Sequence, residues 1–247
     1  MKRKFNGIEI NFRVQKNQNG DKFVLLLHGW GGNLNSFRGL EDYLIENDYS
    51  VINLDFPGFG ASEMPKEDFS LDDYVKIVKE MLEFLELNKV DIVCHSFGGR
   101  VAIKLASTTN LVNRLVLVDS AGLKPKFSLK KYVKIKRYKM LKWLNNKKIL
   151  HRDLSKFGSD DYKAIPNEMK GVFNRIVNED LTKYTKQIES ETLIIWGKKD
   201  DATPYYMAKK LNKNIKNSAI ITFDDAGHFS YLKYHSQFLL IIKSFLS

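Results

Sequence analysis

The stretch Val90-Asp91-Ile92-Val93-Cys94-His95-Ser96-Phe97-Gly98-Gly99-Arg100-Val101 decides the fold. Its first half is a short apolar run of the kind found in strands buried on both faces of a sheet. Its second half continues through Val101, Ile103, Leu105 and Ala106 as a helix. Ser96 stands between the two, with the small residues Cys94 and Gly98 two places away on either side. A serine held there sits on a very tight turn in a strained backbone conformation, and bulky flanking side chains would clash. The turn pushes the hydroxyl outward and sets the Phe97 N–H at a helix N-terminus, where backbone donors have no intrahelical acceptor.

Similar runs recur on both sides of this stretch. Phe23–Leu27, Val51–Leu54, Arg114–Val118, Thr192–Trp196 and Ala219–Phe223 are predicted central strands. Ile8–Val14 alternates apolar and polar residues and is predicted to be a half-exposed antiparallel edge strand. Ser70 with Asp72 and Asp73 marks a helix start, followed by Tyr74, Ile77, Val78, Met81, Leu82 and Leu85 at helical spacing. Pro204 opens another helix, with Met207, Ala208 and Leu211 on one side, and 238–246 closes the chain as a helix. Strands alternating with helices imply βαβ crossovers and a mostly parallel sheet.

The charge is distributed unevenly. The 247 residues carry 40 Lys+Arg against 29 Asp+Glu, a net +11. Residues 1–122 balance at −3 and 186–247 at +3, so residues 123–185 hold the whole excess of +11. Between Lys124 and Lys148 there are eleven basic residues and no acidic one. Strand-like runs are missing from this part, where Tyr132, Ile135, Tyr138, Leu141 and Leu144 keep helical spacing among lysines. Residues 123–185 are therefore predicted to form a basic helical insertion between two parts of one core domain, 1–122 and 186–247.

Several classes drop out. The single cysteine, Cys94, cannot form an internal disulfide and has no cysteine partner for a zinc site. No apolar run approaches the length of a membrane-spanning helix. The basic start Met1-Lys2-Arg3-Lys4 is followed by no apolar stretch, which argues against a secretory signal, so a cytoplasmic protein is expected. No histidine or acid spacing suggests a metal site.

Ligands of open parallel sheets sit beyond the carboxyl ends of the strands. There the sequence places His28-Gly29-Trp30-Gly31-Gly32, Asp55-Phe56-Pro57-Gly58, His95-Ser96-Phe97-Gly98-Gly99, Gly197-Lys198-Lys199-Asp200 and Gly227-His228. A serine hydroxyl is a weak nucleophile without a base. His228 can take its proton, and Asp200 can orient the ring and stabilise the imidazolium. The amides of Phe97 and Trp30 are candidates for an oxyanion hole.

With the order Ser96, Asp200, His228 and the five strand-end motifs, nearly the whole chain resembles the α/β-hydrolase superfamily, in its capped subgroup of small serine esterases and C–C bond hydrolases. The resemblance implies an α/β fold with an eight-stranded, mostly parallel sheet flanked by helices, a helical cap inserted after the sixth strand, and no cofactor. The cap position coincides with the basic block. One departure is Cys94, where the family elbow usually has glycine; it is read as a packing variation pointing inward.

Alternatives for individual residues stand beside these roles. Asp201 and Asp119 compete with Asp200 as the acid, and the spacing from Gly197 to Pro204 favours Asp200. Asp119 is expected to cap the turn with Ser120. His28 and His95 are expected to hold their turns by hydrogen bonds, with His28 also a candidate substrate contact. Asp55 organises its loop, and His151 and His235 are solvent-facing or structural. Side chains of Trp30 and Phe97 are expected to line an acyl pocket, and Arg100 to meet a substrate carboxylate.

The expected activity is hydrolysis of a small carboxylic ester, including anionic ones, through an acyl-enzyme. A C–C hydrolase of a dienoate and a ligand-binding member with little turnover are the rivals. No nucleic-acid partner is expected, because the flanks are neutral and no reading motif is present. The basic insertion is either a solvated face or a surface that attracts an anionic substrate or a membrane.

Overall fold

The apolar runs pair into one eight-stranded sheet of order β1-β2-β4-β3-β5-β6-β7-β8. The computed structural model describes residues 1–17, 22–66, 69–125, 129–147, 149, 151 and 166–247. The strands are β1 Lys2–Phe5, β2 Ile8–Gln15, β3 Phe23–Leu27, β4 Ser50–Leu54, β5 Val90–His95, β6 Val112–Val118, β7 Glu191–Gly197 and β8 Ser218–Phe223. β2 is antiparallel to β1 and to β4, and all further pairings are parallel.

Side chains alternate across the sheet, and both faces are covered, which is why the central strands read as unbroken apolar runs. On one face Leu25, Leu27, Ile92, Cys94, Leu115 and Leu117 pack beneath α2 (Leu71–Phe84) and α3 (Phe97–Thr108). On the other, Val24, Leu26, Val93, Val116 and Ile195 meet α1 (Arg38–Glu46) and the C-terminal helix. Ser70 starts α2 as expected, through a reciprocal capping box with Asp73.

Two elements differ from the sequence expectation. β2 is not the sheet edge; β1 is. Three of the four residues of β1 are exposed, so it carries no burial pattern of its own. Its signal lies in the turn, where Asn6 and Gly7 both take positive φ, 48° and 76°, as a tight hairpin requires. Helix α1 also went unpredicted.

Among the described residues, three helices lie between β6 and β7: α4 (Leu129–Asn146), α5 (Met169–Asn178) and α6 (Thr182–Thr185). The side chains of Tyr132 and Ile135 lie outside the described ones. Leu123, Met169, Val172, Ile176 and Leu181 are buried in one apolar cluster with residues of α2 and α3. After β7 follow α7 (Tyr206–Asn214), α8 (Ser230–Lys233) and α9 (His235–Leu246).

Helix α3 lies unusually close to β3 because Gly98 has no side chain: a methyl there would overlap the Leu27 carbonyl. Gly98→Ala is expected to lower the unfolding free energy by about 1–3 kcal/mol through forced displacement of α3. Urea titration reads this as a lower midpoint at constant slope; an unchanged midpoint would contradict the contact.

Candidate active site

Ser96 joins the end of β5 to the start of α3 with φ 48° and ψ −108°. A non-glycine residue in that region stores strain of about 1–3 kcal/mol. Three backbone hydrogen bonds hold it there. Ser96 N–H donates to Val118 O at 3.1 Å, and Ser96 O accepts from Gly99 at 3.0 Å and from Ala121 at 2.9 Å. Gly99 lies against Ser120, where a methyl group would collide with the hydroxyl.

The structure brings the three residues singled out from the sequence into one hydrogen-bonded line. His228 Nε2 lies 2.9 Å from Ser96 Oγ, and His228 Nδ1 lies 2.8 Å from Asp200 Oδ2. Asp200 is buried, and its oxygens also accept from the amides of Ala202 and Thr203 and from the Thr203 hydroxyl. A carboxylate so surrounded by donors is an acceptor toward the ring, so Nδ1 carries the proton and Nε2 offers its lone pair to the serine hydroxyl.

Asp119, expected to cap its own turn with Ser120, instead ties two strand ends together. Its Oδ1 accepts from Gly197 N–H at 2.8 Å, and its Oδ2 accepts from the Ser230 amide and hydroxyl at 3.0 and 2.6 Å. Its carbonyl lies 3.1 Å from Thr203 Oγ1. The loops that carry Asp200 and His228 are thus anchored to the end of β6. Burial pushes the Asp119 carboxyl up to about 6. Thr203 was missed from sequence, although its place three residues after an acid suits a loop in which that acid accepts the threonine's amide and hydroxyl.

The histidines beside the elbow are structural. His28 is fully buried; its Nδ1–H donates to Gly29 O at 2.7 Å and its Nε2 accepts from Phe56 N–H at 2.9 Å. Both ring nitrogens are used, so the expectation of a substrate contact at His28 is corrected. His95 Nε2–H donates to the His228 carbonyl at 2.7 Å and holds that loop against β5. Burial lowers the two imidazoles to about 4 and about 3. Gly29 packs directly on His95 and Ser96, which presses the 28–32 loop onto the elbow.

Arg100 is likewise corrected. Its buried guanidinium donates to the carbonyls of Glu179 at 2.9 Å and Val177 at 3.2 Å, closing the end of α5. The Phe97 side chain is core, edge-on to Phe56, Tyr74 and Trp30, so only its amide is available to a ligand. Trp30 is half-buried, wedged against Phe59, Phe97 and Phe173. No described carbonyl accepts from the Trp30 or Phe97 amide.

Cys94 is buried, donates to Val116 O at 3.2 Å, and has its thiol pKa pushed up by desolvation, so it offers no thiolate. Asp55 accepts from Leu34 N, Ala61 N and Asn11 Nδ2, and so ties the loops at Leu34 and Ala61 to β2. His151 is exposed and His235 half-buried. Among the described residues, no group of three or more His, Cys, Asp or Glu side chains is placed to hold a metal ion.

Residues 22–152 match the family model described as alpha/beta hydrolase fold, and residues 175–247 match one described as TAP-like protein. The chain belongs to the α/β-hydrolase family. It is 28% identical to a 2-hydroxy-6-oxononadienedioate/2-hydroxy-6-oxononatrienedioate hydrolase of Escherichia coli, over 92% of this chain and 88% of that one. Among solved structures it resembles an esterase from Exiguobacterium antarcticum, with TM-score 0.77, 23% identity, and coverage of 98% of this chain and 96% of that one. It also resembles a meta-cleavage product hydrolase from Pseudomonas fluorescens, with TM-score 0.75, 21% identity, and coverage of 99% and 96%. The two structural likenesses are likenesses of fold.

The neutral burial of His28 and His95 has a measurable consequence. In the unfolded chain both protonate near the ordinary value of 6.5, but in the folded protein they stay neutral down to about 4 and about 3. The unfolded state therefore binds protons first, and stability present above pH 6.5 is lost as pH falls toward 4. Asp119 acts with the opposite sign, favouring the folded state as pH falls from about 6 toward 4. His95→Gln, compared with the wild type by urea unfolding across this range, should reduce proton uptake on unfolding by about one, a slope change of ~1.4 kcal/mol per pH unit. Identical slopes would contradict a neutral buried His95.

Proposed function

We propose that this protein is a serine hydrolase that cleaves a small carboxylic ester. What supports the reading most is the line from Ser96 Oγ through His228 to the buried Asp200, at 2.9 and 2.8 Å, with Ser96 on a strained turn. Ser96 Oγ attacks the acyl carbon while its proton passes to His228 Nε2. The amides of Trp30 and Phe97 stabilise the oxyanion. Asp200 balances the imidazolium and holds its Nδ1–H. Collapse breaks the bond to the alkoxide, which leaves with the proton from His228. A water molecule, deprotonated by His228, then attacks the acyl-enzyme, releases the acid and returns the proton to Ser96. Helices of the 123–185 segment act as a cap that shields the acyl chain.

A second reading rests on the E. coli relative, named as a hydrolase of 2-hydroxy-6-oxononadienedioate and 2-hydroxy-6-oxononatrienedioate, and on the P. fluorescens neighbour, named as a meta-cleavage product hydrolase. Hydrolysis of a dienoate C–C bond would use the same Ser96 and His228. It would need a cation for the substrate carboxylate other than Arg100, which is committed to α5.

Ser96→Ala should lower kcat for a short-chain aryl ester by about a thousandfold or more and abolish covalent labelling by a fluorophosphonate. Unchanged turnover would overturn the serine mechanism. Labelling at Ser96 without turnover of any ester would favour the ligand-binding alternative, and turnover confined to dienoate ketones the C–C one.

A further inference from the structure

Helix α4 presents an apolar face outward. Leu129, Val133, Met140 and Trp143 are each more than half exposed, at 67%, 56%, 56% and 56%. At 3.6 residues per turn these positions fall within a single arc of about 80°, with the exposed Lys136 among them. Leu141, on the other side of the helix, is buried and Tyr138 half-buried. The helix is thus apolar on two sides, one turned inward and one outward. Arg137 and Lys139 flank the outward arc on opposite sides, and Lys147 continues it; all three are exposed.

We propose that this outward face of α4 docks on an anionic lipid surface. An exposed apolar stripe carrying tryptophan between cationic flanks is the pattern of a helix lying in the plane of a membrane interface. Charge complementarity selects the surface: the stretch from Lys124 to Lys148 holds eleven basic residues and no acid, in a chain whose remaining parts balance. Anionic headgroups attract such a cluster, and the stripe then enters the headgroup–acyl boundary. A nucleic-acid site would place cations and polar groups where this arc places Leu129, Val133 and Met140. Among the described residues no helix is long and apolar enough to cross a membrane, so contact is along the surface. The helix leaves the sheet after β6, from the edge that carries Ser96, and Phe229 and Leu232 are exposed at that same edge, 55% each. Docking would turn the Ser96 edge toward the lipid.

The test uses the full chain with vesicles of phosphatidylcholine, alone or containing about one-third phosphatidylglycerol. Cosedimentation with the anionic vesicles, weakened by salt, is expected. Of the three tryptophans, Trp196 is buried and Trp30 half-buried, so a blue shift of fluorescence on vesicle addition reports Trp143. Trp143→Ser should abolish the shift, and Arg137→Glu with Lys139→Glu should weaken partitioning about tenfold or more. Thermal unfolding checks that both variants fold. Ser96→Ala should bind vesicles like the wild type, which separates this proposal from the hydrolase reading. Absence of binding, equal binding to neutral vesicles, or a shift that survives Trp143→Ser would overturn it. So would capture of single-stranded nucleic acid in preference to vesicles, or a dimer abolished by Trp143→Ser.

Discussion

The left-handed backbone at Ser96 is the constraint on which the rest of the structure depends. A serine does not hold φ 48° unaided; it does so because the end of β6, the loop after it and α3 all bond to its peptide groups. Those bonds form only if α3 comes down onto the strands, and Gly98 and Gly99 permit that approach to Leu27 and Ser120. Sheet geometry, helix position and hydroxyl orientation are therefore one problem with one solution.

A second layer of buried polar groups converts that turn into a site. Asp119 bonds to the ends of β7 and the His228 loop, His95 holds the His228 carbonyl, and His28 locks the 28–32 loop to Phe56. Each of these groups is buried yet paired, so desolvation is compensated by hydrogen bonds. This arrangement has a cost, since it leaves two imidazoles neutral and one carboxyl partly protonated well outside their ordinary ranges. Buried polar networks of this kind rigidify a site when every member is satisfied.

Much of this was legible in the linear text. The central strands read correctly because both faces of a parallel sheet are covered, so burial leaves an unbroken apolar signature. Ser96, Asp200 and His228 come together because an open parallel sheet delivers strand ends to one edge. β1 escaped because an edge hairpin needs only its turn, here Asn6-Gly7, and not a buried face. Arg100 and His28 were misread because their partners are carbonyls and amides far along the chain, Val177 and Glu179 for one and Phe56 for the other. A polar side chain beside a nucleophile looks the same in sequence whether it faces a substrate or a peptide group.

The sequence by itself determined the alternation of strands and helices, the tight turn at Ser96, the order of serine, acid and histidine, and the confinement of the basic excess to 123–185. These follow from local sterics, from periodicity and from composition, which involve residues close in the chain. Only the tertiary structure decided which acid meets His228, that Asp119 braces the loops, and that Met169, Val172, Ile176 and Leu181 pack into one cluster with α2 and α3. It also decided that α4 turns Leu129, Val133, Met140 and Trp143 outward. Those outcomes depend on which distant segments pack together, and a side chain's role is set by the neighbour that packing supplies.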